Sequence, residues 1–375
     1  MVVLGTALSL TAVPAPAGAA PARQPDPATT RISVSSDRAQ ANERSSSSSS
    51  SRTGRWVSFA SRASNLVPGD TNGVVDVFVR DRVAATIVRV SVPAGGGQGN
   101  GDSTVPSISQ DGRYVAFSSF ASNLVPGDTN GFPDLFVRDL LRGTTSRVSV
   151  PATGGQDNGP SGFSSSTISG DGRWVIFEST ASNLVPGDTN DAPDVFLRDL
   201  RRAVTSRVSV SSTGAQGYGV SSDPAISADG RYAAFSSWSS NLVPGDTNGV
   251  DDVFVRDLAA GVTRRVSVAA GGVQANRGSS QPAISGDGRR VAFVSGSTNL
   301  VPGDTNGTED VFLTRWSTGT TTRLSVSAEG AQADSFSNDP SIDHRGRYVS
   351  FTSYASNLVP GDTNDMLDVF VADAG

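Results

Sequence analysis

Six copies of one motif hold the side chains best suited to chemistry. Asp-Thr-Asn-Gly/Asp-x-x-Asp supplies Asp70, Asn72 and Asp76 in the first copy, Asp128, Asn130 and Asp134 in the second, and Asp188, Asn190 and Asp194 in the third. The later copies supply Asp246, Asn248 and Asp252, then Asp304, Asn306 and Asp310, then Asp362, Asn364 and Asp368. Hard oxygen donors at this spacing partly match the calcium loop Asp-x-Asp-x-Asp-Gly-x-x-Asp, with Asp70 in its third position and Asn72 in its fifth. The first position falls on Pro68, which has no side-chain oxygen. Carbonyls and water would have to complete the roughly six to eight ligands that calcium takes. A purely structural role is the competing expectation. Asn72-Gly73 is a turn signal, and Asp70 can accept backbone amides in an Asx-turn. Use of the motif in every copy suits a requirement of the fold better than one ligand site. Apart from calcium, no cofactor is expected.

Other chemistry is narrowed by subtraction. The 375 residues include no cysteine, and all 30 basic residues are arginine. Thiol nucleophiles, cysteine-ligated zinc, disulfides and Schiff-base lysines are therefore excluded. The single histidine, His344, stands in a tight turn where other copies have Gln110, Gly170, Ala228 and Gly286. It reads as a surface turn residue, and the adjacent Arg345 discourages a catalytic triad. Paired carboxylates could serve glycoside chemistry, but with aspartates in every copy no pair stands out, and no catalytic residue is assigned. The formal net charge of −6 argues against nucleic acid as a partner.

The elements that position these residues follow from the repeat. Asn-Leu-Val-Pro-Gly-Asp-Thr-Asn begins at Asn65, Asn123, Asn183, Asn241, Asn299 and Asn357, in steps of 58, 60, 58, 58 and 58 residues. Gln40, Gln98, Gln156, Gln216, Gln274 and Gln332 keep the same step. The second unit reads as four short strands: Pro106–Ser109, Arg113–Ser118, Asp134–Arg138 and Ser146–Val150. Asp111-Gly112 supplies the tight turn between the first two. Glycine (41 residues) and proline (20) fit many turns and few helices. Four antiparallel strands, six times over, predict an all-β six-bladed β-propeller over residues 30–375. The last unit stops after its third strand. Arg31–Val34 is expected to supply the fourth and close the ring, hiding two sheet edges. In the first unit seven serines, Ser45 to Ser51, replace the inner-strand pattern and predict a weak strand or a loop.

Ser109-Gln110-Asp111-Gly112-Arg113-Tyr114-Val115-Ala116-Phe117-Ser118 resembles the PDG-x-x-IAFSS core of the WD-like repeats of TolB-type β-propellers. Ser169–Phe177, Ser227–Ser236 and Ser285–Phe293 repeat it. The resemblance covers all six units and implies the propeller fold; such propellers serve many roles. TolB carries an α/β domain ahead of its propeller, and prolyl-oligopeptidase-like enzymes carry a hydrolase domain. This sequence has room for neither, so their partners and triad are not carried over. The sialidase Asp-box, Ser-x-Asp-x-Gly, fails here because Asp111 and Gly112 are adjacent.

Alternating strand direction puts the two short turns of each unit on one face. The motif loop and the Gly/Gln-rich loop between units fall on the other. Binding residues concentrate on long loops held by a rigid scaffold. The second face is therefore expected to bind, and the variable residues Asp157-Asn158, Tyr218, Asn276-Arg277 and Asp334-Ser335-Phe336 are expected to discriminate. The apolar run Val2–Val13 and the small residues Ala17–Ala20 read as a secretory signal peptide over residues 1–22, with a linker at 23–29. No transmembrane span is expected. The resulting expectation is a secreted or cell-envelope monomer, non-catalytic, binding a protein, peptide or cell-wall glycan. The alternatives are a carbohydrate hydrolase or lyase using loop carboxylates, and a calcium-stabilised cell-surface module.

Overall fold

The computed structural model describes residues 30–375, so the signal-peptide and linker readings lie outside the described residues. Six antiparallel sheets follow one another along the chain, each ordered from inner to outer strand as the sequence runs. In blade two the strands are Ser103–Ile108, Tyr114–Ser119, Asp134–Asp139 and Thr144–Arg147. Inner strands of all six blades line one central cavity of about 650 Å³. This is the expected six-bladed propeller, and none of its described helices is long and apolar enough to cross a membrane.

Packing explains why these residues form these strands. The second and third strands of each blade are apolar on both sides because each sheet is covered by its neighbours. Every blade holds one cross-strand phenylalanine pair, such as Phe117 opposite Phe136, with ring centroids 5.9 Å apart. Val77, Val79 and Val90 of blade one form a single buried cluster with Ile108, Val115 and Phe117 of blade two. The short turns require glycine for two reasons. Gly112 has φ +74°, and a Cβ there would lie 2.3 Å from the Trp56 ring of the preceding blade. Arg55 covers the other side of that ring, 4.3 Å from its centroid.

Four local expectations are corrected. The inner strand starts earlier than Pro106, at Ser103, because a bulge re-aligns it onto Ser118 and Ser119. The outer strand is Thr144–Arg147 rather than Ser146–Val150. The chain leaves the ladder where Ser149 Oγ takes over, accepting the Leu135 amide at 3.2 Å and donating to Asp134 at 2.6 Å. The serine tract is a strand and not a loop, more exposed than its counterpart in blade two. Ser45–Ser50 pairs with Trp56–Ser61 in the register of the other blades. Its Ser45, Ser49 and Ser51 occupy repeat positions where blade two also has serine, at Ser103, Ser107 and Ser109. Finally, Arg31–Val34 forms no ladder with the last blade. Among the described residues the sixth sheet has three strands. Ile32 instead packs on the blade-one cluster of Phe59, Leu66 and Phe78, and the Val34 and Ser35 carbonyls accept from Arg80 at 3.3 and 2.9 Å.

Candidate functional site on the long-loop face

The motif loop and the inter-blade loop are knitted into one layer. Asn123 Nδ2 donates to the Gln98 carbonyl at 2.8 Å, and its Oδ1 accepts the Asn100 amide at 3.1 Å. Leu124 beside it is buried. Gln98 then grips the preceding motif: its Oε1 accepts the Thr71 amide at 3.0 Å, and its Nε2 donates to Thr71 Oγ1 at 2.8 Å. Long loops held this way present a fixed surface.

Beneath that surface, the sequence-predicted metal residues surround an arginine. Arg89 Nη1 lies 3.5 Å from Asp70 and 3.1 Å from Asp76. Arg147 bridges Asp128 and Asp134 at 3.4 Å each, and Arg207 bridges Asp188 and Asp194 at 3.4 and 3.5 Å. Arg265 lies 3.0 Å from both Asp246 and Asp252, and Arg323 lies 3.1 and 3.5 Å from Asp304 and Asp310. Asn72 Nδ2 donates to Asp76 at 2.9 Å and to the Gly99 carbonyl at 3.1 Å. A guanidinium thus stands where a cation would bind, and the asparagine presents its amine to the carboxylate. In these five blades the residues do not fit calcium. They form a buried charge network joining the outer strand, motif loop and inter-blade loop. Burial pushes Asp70, Asp128, Asp246 and Asp304 up from the ordinary carboxylate range, with the arginines pulling the other way. The arginines escaped the sequence reading, although they recur one repeat apart at the end of each outer strand.

One blade boundary departs from this pattern. Asp157 occupies a position held by Gly99, Gly217, Ala275 and Ala333 elsewhere. It is buried, accepts from Asn130 at 2.8 Å and from Ser161 Oγ at 2.5 Å, and sits against Asp134. Burial first, and the neighbouring Asp157 second, push Asp134 up to about 7. Both carboxylates are closed off from solvent, and burial raises each of them.

The surface itself is aromatic. Seven of the eight exposed aromatic side chains among the described residues lie on the long-loop side: Phe120, Phe132, Phe163, Tyr218, Trp238, Phe336 and Tyr354. Tyr218 is 75% exposed, Phe120 63% and Trp238 60%. Phe336 and Tyr354 pack together with centroids 5.0 Å apart. Phe120, Trp238 and Tyr354 share one repeat position, where blade five has Gly296. With Gly278 also lacking a side chain, blade five leaves a hollow of about 620 Å³ lined by Arg277, Glu309, Asp251 and Phe336. Of the variable residues expected to discriminate, Tyr218, Arg277 and Phe336 reach this surface. Asp157 and Asp334 are turned to loop architecture, Asp334 accepting from Ser356 at 2.9 Å.

The opposite end of the channel is narrowed by its turns. Turn residues are joined in sequence around the axis, Gln110 N to Gly170 O at 3.0 Å, Gly170 N to Ala228 O at 2.9 Å and Ala228 N to Gly286 O at 3.0 Å. His344 is half-buried over Gly286, with its Nδ1 3.2 Å from Gln110 Nε2. It spans the narrow end rather than standing free on a surface turn. Isoleucines 108, 168, 226, 284 and 342 ring the cavity above, with Ser50 in the sixth place. Higher up, the bulge puts Ser47, Val105, Asp223, Gln281 and Asp339 at φ of +50° to +52°. For β-branched Val105 such a conformation is a true outlier, held here by the strand pairing on either side.

No family model and no curated protein matches this chain. Solved structures share its fold. The acylaminoacyl peptidase of Pyrococcus horikoshii matches over 88% of this chain and 45% of its own, at 12% identity and TM-score 0.51. The β-propeller domain of the Trilobed protease from Pyrococcus furiosus, described as having an open velcro topology, matches over 89% and 83%, at 10% identity and TM-score 0.51. TolB from Acinetobacter baumannii is also similar, over 77% of this chain and 56% of its own, at 16% identity and TM-score 0.42.

Proposed function

We propose that this protein is an exported, non-catalytic propeller that binds a protein, peptide or cell-wall glycan on its long-loop face. The observation that carries the reading is the one-sided distribution of exposed aromatics. Large apolar side chains on a rigid loop surface mark interaction sites, and aromatic rings with a polar surround suit peptide side chains and sugar faces alike. The hollow in blade five, with Arg277 beside Glu309 and Asp251, adds hydrogen-bonding groups of both signs. A carboxylate enzyme would need acids open to substrate. Here the motif aspartates of five blades are spent on arginine, and the peptidase activity of the structural neighbours belongs to those proteins.

The test compares the wild type with the triple variant Phe120→Ser, Trp238→Ser, Tyr354→Ser. Purified peptidoglycan sacculi and an immobilised peptide library serve as probes. Retention of the wild type on one probe, with at least a tenfold weaker interaction for the variant at an unchanged melting temperature, supports the proposal. Equal retention of both proteins would remove the face from consideration, and failure of the wild type on both probes would remove the proposed ligand classes.

A further inference from the structure

The repeat breaks locally at the hollow of blade five. In blade two Gly101 faces Phe120, and in blade four Gly219 faces Trp238; a Cβ on these glycines would lie 2.7 Å and 3.6 Å from the aromatic residue. Blade five exchanges the two sizes. Arg277 takes the glycine place, and Gly296 takes the aromatic place. A Cβ on Gly296 would meet Arg277 Cδ at 3.8 Å and Glu309 Cγ at 3.9 Å. Both charged side chains therefore border the gap that the missing ring leaves.

The charges are local as well. Asp251 and Glu309 share one repeat position in neighbouring blades, where the other blades have Val75, Pro133, Pro193 and Leu367. Both acids line the hollow together with Arg277. Among the described residues none of these three side chains has an ion-pair partner. Arg89, by contrast, is paired with Asp70 and Asp76. Burial first, then Asp223 and Asp252, push the Asp251 carboxyl up, and a cation brought beside it would relieve that repulsion. Phe336 adds an apolar wall, steadied by its packing on Tyr354. The volume of about 620 Å³ suits a small ligand group.

We propose that this hollow holds the terminal residue of a peptide that carries a free carboxylate and an ammonium group together. The carboxylate meets the Arg277 guanidinium, whose planar fork matches it with two parallel hydrogen bonds. The ammonium group meets Asp251 and Glu309, and its methylene stem lies along Phe336. A neutral sugar would cover the three charged groups without pairing them, at the cost of their desolvation. The inference rests on the reading that the long-loop face binds, and it narrows the ligand to a peptide with such an end.

The test is isothermal titration calorimetry of the full-length protein with acetyl-Ala-Ala-Lys. In this peptide the lysine supplies the sole ammonium group and the free carboxylate. Its carboxamide, its Nε-acetyl form and a neutral N-acetylglucosamine pentamer are the comparison probes. The wild type should bind the free peptide, with each capped form about tenfold weaker. Arg277→Gln should bind the acid and the carboxamide equally. The double variant Asp251→Asn, Glu309→Gln should no longer distinguish lysine from acetyl-lysine. Melting temperatures of both variants should match the wild type. Equal binding of all three peptides by the wild type, capping penalties that persist in the variants, or binding of the sugar alone would each overturn the inference and leave the wider reading of the face intact. Failure of every probe would overturn it too, while retention on sacculi or the peptide library decides the wider reading separately.

Discussion

Replacing Asp157 by asparagine should weaken a specific pH dependence of stability. Asp134 carries a value of about 7 against an ordinary 3.8. Burial is the larger cause and the Asp157 carboxylate the next. A carboxyl group whose folded value is raised stabilises the fold fully below its unfolded value, and that stability is lost as pH climbs towards the folded value. The window is therefore about pH 4 to 7. A rise of about three units, at about 1.4 kcal/mol each, sets a ceiling on the order of 4 kcal/mol, of which Asp157→Asn removes only the share owed to the second carboxylate and leaves the share owed to burial. At roughly 2 °C per kcal/mol for a chain of this size, the difference between the two proteins is a few degrees in melting temperature, below a ceiling of about 8 °C. Asp157→Asn mimics the protonated pair. Its oxygen still accepts from Asn130, and its new amine can donate to Asp134. The carboxylates held low by arginine, such as Asp81 at about 2 beside Arg55, act in the opposite direction at more acidic pH and are common to both proteins. The assay is thermal unfolding of both proteins at half-unit steps from pH 4.5 to 8.5. The two curves should meet near pH 4.5 and diverge upwards, with the variant more stable at pH 8. Parallel curves would refute the coupling of the two carboxylates.

Three further outcomes follow from the same geometry. Arg265→Met leaves Asp246 and Asp252 buried without a counter-charge and should cost about 3–5 kcal/mol in a denaturant titration. A chelator should leave the melting temperature of the wild type unchanged, because guanidinium groups fill the motif in five blades; a clear drop would restore calcium to the account. Gly112→Ala must strain a positive φ and drive a methyl into Trp56. It should destabilise by at least about 1–3 kcal/mol, with a shift in tryptophan emission.

The six-unit architecture was legible because two signals repeat with it, the Asp-Gly turn before the second strand and the long Asn-Leu-Val-Pro-Gly-Asp-Thr-Asn loop after it. Strand limits were less so. The Val-Ser alternation after Arg147 looks like a strand, yet its serines serve as side-chain partners for Asp134 and end the ladder. The serine tract misled for the opposite reason: backbone pairing holds it, and three of its seven serines match the repeat. The aspartates were legible as a cluster, but their partner was not, since Arg89 lies 13 residues from Asp76 along the chain and meets it only across paired strands. Loop length alone singled out the long-loop face as the expected binding face. Its aromatic character needed the structure, because Phe120, Trp238 and Tyr354 read as ordinary apolar residues at a strand end.

Trp238 offers the most direct test of binding on the long-loop face. It is the exposed tryptophan, while Trp56 and Trp174 lie under arginine side chains at the other end of the blades. Acrylamide quenching should be measured in a variant whose other tryptophans are phenylalanine, with and without the probe that retains the wild type. Protection of Trp238 on addition of that probe is the predicted result. Saturating interaction with Trp238 still fully quenched would show that the ligand sits elsewhere.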